Sequence, residues 1–74
     1  MIKEIILKNR QDAEKLNKLA SEKAFNVNVS CGHLVLDAKS LLALFAIVGK
    51  KVNLVVPDHL KVSQFYDLIN DLGL

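Results

Sequence analysis

The sequence predicts an α+β domain in which a four-stranded, mostly antiparallel sheet carries helices on one face. Stretches rich in β-branched residues alternate with stretches of helical periodicity, in the order β-α-β-β-α-β-α. Only the two middle strands are close enough in sequence to form a hairpin. Two helices have broad apolar stripes that suit them to cover one side of a sheet. A chain of 74 residues is expected to form one domain, residues 1–74, with a thin core.

The first half of the chain is predicted as strand, helix and strand. Residues 2–8 are rich in β-branched side chains, which favour a strand. Asp12 is a suitable N-cap for an amphipathic helix over residues 13–24, where apolar side chains recur at helical spacing. Residues 25–31 alternate apolar and polar side chains, as is typical of a half-buried strand.

A hairpin and a central strand follow. Gly32 and His33 form the predicted tight turn, and residues 34–37 return as the second strand of the hairpin. Residues 52–56 are nearly all apolar, which indicates a strand in the middle of the sheet.

The chain is predicted to end in a second amphipathic helix. Pro57 stops the preceding strand, Asp58 is suited to cap the helix, and Gly73 is a fitting residue at its C-terminus. The predicted apolar stripe of this helix consists of Val62, Phe65, Tyr66, Leu68, Ile69 and Leu72.

Between the hairpin and the last strand lies an unbroken apolar run, residues 41–48. Ser40 before the run and Gly49 after it are typical start and stop signals, so a short helix over residues 40–48 is predicted. Helical spacing places Leu44, Ile47 and Val48 on one side, which suits the core. The remaining large apolar side chains are expected to form an exposed patch that a protein partner or a second copy of the chain covers: Leu41, Leu42 and Phe45.

Composition excludes several classes of function. A net charge of +2 and only four aromatic residues argue against nucleic-acid binding. The apolar run is too short to span a membrane. The only cysteine, Cys31, leaves no intrachain disulfide and indicates a reducing compartment. Lys3 and Glu4 next to the first residue are unlike a secretory leader, so a cytoplasmic location is expected.

No catalytic or metal-binding constellation is predicted, and no cofactor is expected. His33 and His59 have no Cys, Asp or His neighbours at the spacing of metal ligands, and both are predicted to be exposed. Cys31 is expected to be a structural thiol, because no basic neighbour is placed to activate it. The acidic residues show no pairing that would indicate acid–base catalysis: Asp12, Glu14, Asp58, Asp67 and Asp71.

The segment Ala38-Lys39-Ser40-Leu41-Leu42-x-Leu44, together with the element order and the length, resembles HPr, the histidine-containing phosphocarrier of the bacterial sugar phosphotransferase system. The resemblance covers the whole chain and is strongest over residues 32–56. It implies the HPr fold and places Ser40 at the regulatory phosphorylation position of Gram-positive members. It also implies that the exposed patch is the partner-docking surface.

One part of the family's pattern is missing. Family members carry the phosphorylated histidine in a Gly-x-His-x-Arg-Pro motif at the start of the first helix. The matching residues 8–13 contain no Gly, His or Pro, and Arg10 is the only residue that matches the motif. A carboxylate at Asp12 would occupy the backbone donors at this helix start and repel a phosphoryl group.

These observations favour a non-catalytic, HPr-like interaction or regulatory module. Ser40 is either a regulatory phosphorylation position or a plain helix cap. One alternative is a divergent phosphocarrier or a Ser-regulated HPr homologue. A second is a small-molecule-sensing domain of similar element order, of the ACT type.

Overall fold

The computed structural model describes residues 1–74. None of its helices is long and apolar enough to cross a bilayer. The predicted element order is confirmed, with these bounds: β1 (Ile2–Ile6), α1 (Arg10–Ser21), β2 (Asn28–Cys31), β3 (Leu34–Asp37), α2 (Leu41–Phe45), β4 (Lys51–Val55) and α3 (Val62–Leu72).

The four strands form one sheet in the order β1-β4-β2-β3, and every neighbouring pair is antiparallel. β4 is therefore central, as its apolar sequence predicts. Its Leu54 lies opposite Val29 of β2, and its Val55 lies opposite Ile2 of β1. β2 and β3 form the predicted hairpin, in which Cys31 lies opposite Leu34 across a two-residue turn. The strands β1 and β3 form the two edges.

The two faces of the sheet differ, because successive strand residues point to opposite sides. In β4, Val52 and Leu54 are buried beneath the helices, whereas Lys51 and Asn53 are exposed on the open face. The helices cover one face only, as predicted. All buried residues are apolar and form one cluster: Ile5, Leu7, Ala13, Leu16, Ala20, Val27, Val29, Ala38, Leu44, Ile47, Val52, Leu54, Val56, Phe65, Leu68 and Leu72.

The start of α1 differs from the prediction. The N-cap is Asn9, whose backbone is extended and whose side chain accepts a hydrogen bond from the Asp12 N–H at 2.9 Å. Asp12 lies within the first turn, and its carboxylate accepts from the backbone N–H of Lys8 at 2.9 Å. The prediction of Asp12 as the N-cap is therefore wrong: both residues suit helix starts, and the earlier one caps the helix.

The boundaries between α1 and β2 are also shifted. α1 ends at Ser21, so Lys23 and Ala24 lie beyond it, and β2 covers four residues rather than 25–31. Phe25 still packs against the core from the connecting segment, and Val27 is fully buried there. Two apolar side chains of the predicted strand thus close the core from outside β2, although the Val27 carbonyl still accepts a hydrogen bond from the Ala38 N–H at 2.9 Å.

The start of α3 is also displaced. Asp58 is not its N-cap, because residues 57–60 form a turn in which the Leu60 N–H donates to the Pro57 carbonyl at 3.3 Å. The helix is capped by Lys61, and the side chain of Gln64 accepts from the Lys61 N–H at 3.1 Å. Gly73 follows α3 in the left-handed conformation, φ 67°, as predicted for a residue at this place.

The apolar stripe of α3 is narrower than predicted. Phe65, Leu68 and Leu72 are buried, but Val62 and Tyr66 are each 58% exposed. The buried side chains recur at spacings of three and four residues on one helix face. Val62 and Tyr66 lie beside that face, so the prediction that they belong to the core is wrong.

Asp58 is expected to make the stability of the fold depend on pH in the acid range. Its carboxylate accepts a hydrogen bond from the Met1 ammonium group, which also donates to the Val56 carbonyl at 2.8 Å. This hydrogen bond, and the attraction between the charges, lower the pKa of Asp58 below its ordinary 3.8. Because the folded pKa is the lower one, the contribution is present above about pH 3.8 and is lost as the pH falls through the folded pKa.

We therefore expect Asp58→Asn to lower the free energy of unfolding slightly at neutral pH and to have no effect well below pH 3.8. Urea unfolding at both pH values measures the difference. The control is Asp67→Asn, an exposed carboxylate on α3. Equal losses for both variants at neutral pH would contradict the role given to Asp58.

Candidate functional site

The apolar run forms a shorter helix than predicted. α2 contains five residues, Leu41–Phe45, rather than residues 40–48. Residues 46–49 continue as a tighter turn, in which the Ala46 N–H donates to the Ala43 carbonyl at 3.2 Å and the Ile47 N–H to the Leu44 carbonyl at 3.1 Å. These i to i−3 bonds are of the 3₁₀ type, which often closes the end of a helix.

Ser40 is at the N-cap position of α2, but its hydroxyl makes no capping hydrogen bond. The interpretation of Ser40 as a side-chain cap is therefore wrong. Other groups hold this turn in place: the Asp37 carboxylate accepts from the Lys39 N–H at 2.9 Å, and the Asp37 carbonyl accepts from the Ser40 N–H at 2.9 Å. The Asn17 side chain ties the turn to α1 by donating to the Ala38 carbonyl at 3.1 Å. Ser40 itself is exposed.

We consequently expect Ser40→Ala to change the free energy of unfolding by no more than about 0.5 kcal/mol, as for an ordinary surface substitution. The matched control is Asn9→Ala, which removes a side-chain cap that is present and should cost about 0.5–2 kcal/mol. Urea unfolding of both variants is the measurement. If Ser40→Ala cost as much as Asn9→Ala, the hydroxyl would be capping α2 in solution.

The three residues of the predicted docking patch are not equally exposed. Leu42 is 81% exposed, whereas Leu41 and Phe45 are half-buried, and Phe45 packs against the core cluster. On the opposite side of α2, Leu44 is fully buried and Ile47 nearly so, as predicted. Val48, also predicted in the core, is half-buried at its edge. The patch thus consists of one highly exposed leucine flanked by two half-buried apolar side chains.

A contact that the sequence did not reveal joins this patch to the start of α1. The guanidinium carbon of Arg10 lies 4.7 Å from the centroid of the Phe45 ring. A cation at this distance over an aromatic face is attracted by the ring quadrupole. Arg10 is also the one residue that matches the family's motif, which was the only sequence signal that this position matters. The contact covers one face of Phe45 and places a fixed positive charge beside the patch.

The loop before α1 lies beside the loop after α2, since the Gly49 N–H donates to the Leu7 carbonyl at 2.7 Å. At this corner the side chains of Asn9 and Asp12 accept from the backbone N–H groups of Asp12 and Lys8. Backbone N–H groups at a helix start are the donors that bind an anion in many proteins. Here the Asp12 N–H in the first turn already has the Asn9 side chain as acceptor, whereas the Asp12 carboxylate accepts from Lys8, before the helix, and not from the helix donors as expected. No imidazole is present in residues 8–13.

The remaining candidate residues are spread over the molecule. His33 is exposed in the hairpin turn and His59 is exposed in the turn before α3, as predicted. Cys31 is a free, half-buried thiol in β2. No three His, Cys, Asp or Glu side chains lie close enough together to hold a metal ion.

The fold and this corner define a small antiparallel α+β domain with one open sheet face and a short, partly exposed apolar helix. Neither the family models nor the curated proteins contain a match to the sequence. Among solved structures, the chain is similar to the crystal structure of HPr-C-His from Thermoanaerobacter tengcongensis. The TM-score is 0.72 at 17% sequence identity, and the match covers 100% of this chain and 97% of that chain. The fold is therefore HPr-like, which confirms the expectation drawn from the resemblance.

Proposed function

We propose that this chain is an HPr-like interaction or regulatory module related to the sugar phosphotransferase system, which does not carry a phosphoryl group on histidine. The observation that carries the proposal is the start of α1. A helix begins at this place as in the HPr-like fold, but residues 8–13 lack an imidazole. The side chains of Asn9 and Asp12 accept hydrogen bonds from the backbone N–H groups of Asp12 and Lys8. A free thiol at Cys31 is compatible with the reducing cytoplasm, where such a module would act.

The proposed docking surface is the patch Leu41, Leu42 and Phe45. Its occupant is a protein partner, for which the resemblance to HPr suggests the first enzyme of the phosphotransferase system. Leu42 supports this role, because a leucine that is 81% exposed on a small domain gains most from contact with another protein. Phe45 adds aromatic surface of the kind that anchors interfaces, with Arg10 beside it.

Phosphoryl transfer is the decisive experiment. The protein is incubated with phosphoenolpyruvate and the first enzyme of the system, and its intact mass is measured at neutral pH, where phosphohistidine survives. We expect no mass increase, whereas an HPr with its histidine should gain one phosphoryl group under the same conditions. A gain that maps to His33 or His59 would overturn the proposal and favour a divergent phosphocarrier.

Ser40 supports a second candidate, a serine-regulated HPr homologue. Its hydroxyl is exposed at the start of α2 and makes no capping hydrogen bond, so it is open to modification. A phosphate there would add negative charge beside Leu41 and Leu42 and alter any docking on that surface. Peptide mass spectrometry of the protein purified from its own cells tests this candidate: phosphate on Ser40 would favour it, and an unmodified Ser40 would not.

A further inference from the structure

The two edges of the sheet are unequally protected. β1 carries the charged residues Lys3 and Glu4 at its centre, and charges on an edge strand discourage pairing with another chain. The other edge, β3, has Leu34, Val35 and Leu36 in succession, and its first charged residue is Asp37 at the end. Val35 is 67% exposed. β3 is therefore an apolar edge strand without the usual protection.

The hydrogen-bonding pattern of the hairpin determines which N–H and C=O groups of β3 are not bonded to β2. Across a two-residue turn the closing pair, Cys31 and Leu34, is hydrogen-bonded, and bonded and non-bonded pairs then alternate. Leu34 and Leu36 consequently use their backbone groups toward β2, while the N–H and C=O of Val35 and the N–H of Asp37 point to the open edge. The Asp37 carbonyl is already bonded to the Ser40 N–H.

We propose that β3 pairs antiparallel with β3 of a second copy of this chain, with the two-fold axis between the two Val35 residues. The two Val35 residues then exchange N–H to C=O hydrogen bonds, and the two four-stranded sheets become one of eight strands. Each Asp37 N–H donates to the His33 carbonyl of the second copy. The pairing is isologous, as in most homodimers.

Hydrogen-bonding complementarity supports this occupant and this register. With Val35 at the axis, His33 of each copy lies opposite Asp37 of the other, so an imidazole that can donate a hydrogen bond faces a carboxylate twice. A register with Leu36 at the axis would instead set Val35 opposite Asp37, an apolar group against a charge. The Asp37 carboxylate is held at the strand end by the Lys39 N–H.

The helix-covered side of β3 also suits a second copy. Leu34 and Leu36 line a largely apolar groove between the hairpin and α2, together with Cys31, Ala43 and Ala46, and His33 and Lys50 border the same groove. In the proposed register Leu34 of one copy lies opposite Leu36 of the other, which extends this apolar surface across the axis. Four-residue strands bury less than the roughly 1,200 Å² of a standard interface, so the dimer is weak and reversible.

Sedimentation velocity over a concentration series that reaches the millimolar range tests the proposal. We expect reversible dimerisation of the wild-type chain and none of Val35→Lys, which places two ammonium groups at the axis. The matched control is Ile2→Lys, a 65% exposed position on the open face of the other edge strand, which should dimerise as the wild type does. His33→Asp, which sets two carboxylates together, should weaken the dimer about tenfold. Urea unfolding of each variant confirms that it is folded.

Cross-linking tests the register. In a Cys31→Ser background, Val35→Cys should form a disulfide dimer under mild oxidation, because hydrogen-bonded antiparallel pairs have Cα atoms about 5.5 Å apart. Val62→Cys, an exposed position on α3, is the control and should remain largely monomeric.

A wild-type chain that stays monomeric throughout, or dimerisation lost in Leu42→Lys but kept in Val35→Lys, would overturn the proposal. Neither result bears on the phosphoryl-transfer experiment, which tests the proposed function by itself.

Discussion

Leu44→Ala is expected to lower the free energy of unfolding by about 2–5 kcal/mol, the range for removing a fully buried leucine side chain. Leu44 is the one fully buried residue of α2, a helix too short to be stable without packing. A loss of this size is a large share of the roughly 5–15 kcal/mol that stabilises a typical domain. Urea unfolding followed by circular dichroism is the measurement.

The control for Leu44→Ala is the same substitution two residues earlier. Leu42→Ala removes an 81% exposed side chain from the same helix and should change stability by no more than about 0.5 kcal/mol. Similar losses for the two variants would mean that α2 presents a different face to the core from the one described.

Leu42→Lys is expected to weaken the proposed partner binding strongly while leaving the fold intact. If Leu42 is at the centre of the docking surface, placing a charge there should weaken the complex with the first enzyme of the phosphotransferase system about 30-fold or more. Titration calorimetry measures the dissociation constant, and urea unfolding confirms the fold. Leu42 is a better position than Phe45 for this test, because Phe45 packs against the core and a charge there would also reduce stability.

Val62→Lys is the matched control for binding, since it adds the same charge at an exposed apolar position on α3. It should bind the first enzyme as the wild type does. Equal binding by Leu42→Lys and Val62→Lys would mean that α2 is not part of the interface.

The strands and their order along the chain could be predicted because each depends on a local pattern. β-branched residues in β1 and β4, and the Gly32 turn between β2 and β3, determine structure over a few residues. Gly32 has φ 60°, and no residue other than glycine has a positive φ, which fits the first central position of a type II′ turn. The order of the strands within the sheet, which local patterns do not determine, was not predicted beyond the central place of β4.

Helix starts were predicted less well, because several residues near each start can cap it. Asn9 and Asp12 both suit the first helix, and the structure uses Asn9 as the cap and Asp12 as an acceptor for the preceding residue. Before α3, residues 57–60 form a turn, so the helix does not begin directly after Asp58. Which residue caps a helix depends on where the preceding strand ends. That end is determined by pairing within the whole sheet, not by the local sequence.

The candidate site was predicted in outline only. The apolar run and its inward side were visible in the sequence, since Leu44 and Ile47 are buried as the spacing indicates. The unequal exposure of Leu41, Leu42 and Phe45 was not visible, because it depends on how α1 packs against α2. The Arg10–Phe45 contact joins residues on two different helices, and no pattern within either segment encodes it.

The pairing of the first strand with the last has a consequence for synthesis of the chain. β1 is hydrogen-bonded only to β4, so it stays without a partner strand until β4 has also been synthesised. Until Lys51–Val55 emerges, Ile5 has no strand to pair with and the central position of the sheet is empty. A short helix and a two-stranded hairpin are at best marginally stable alone, so the sheet and its core can close only once β4 has emerged.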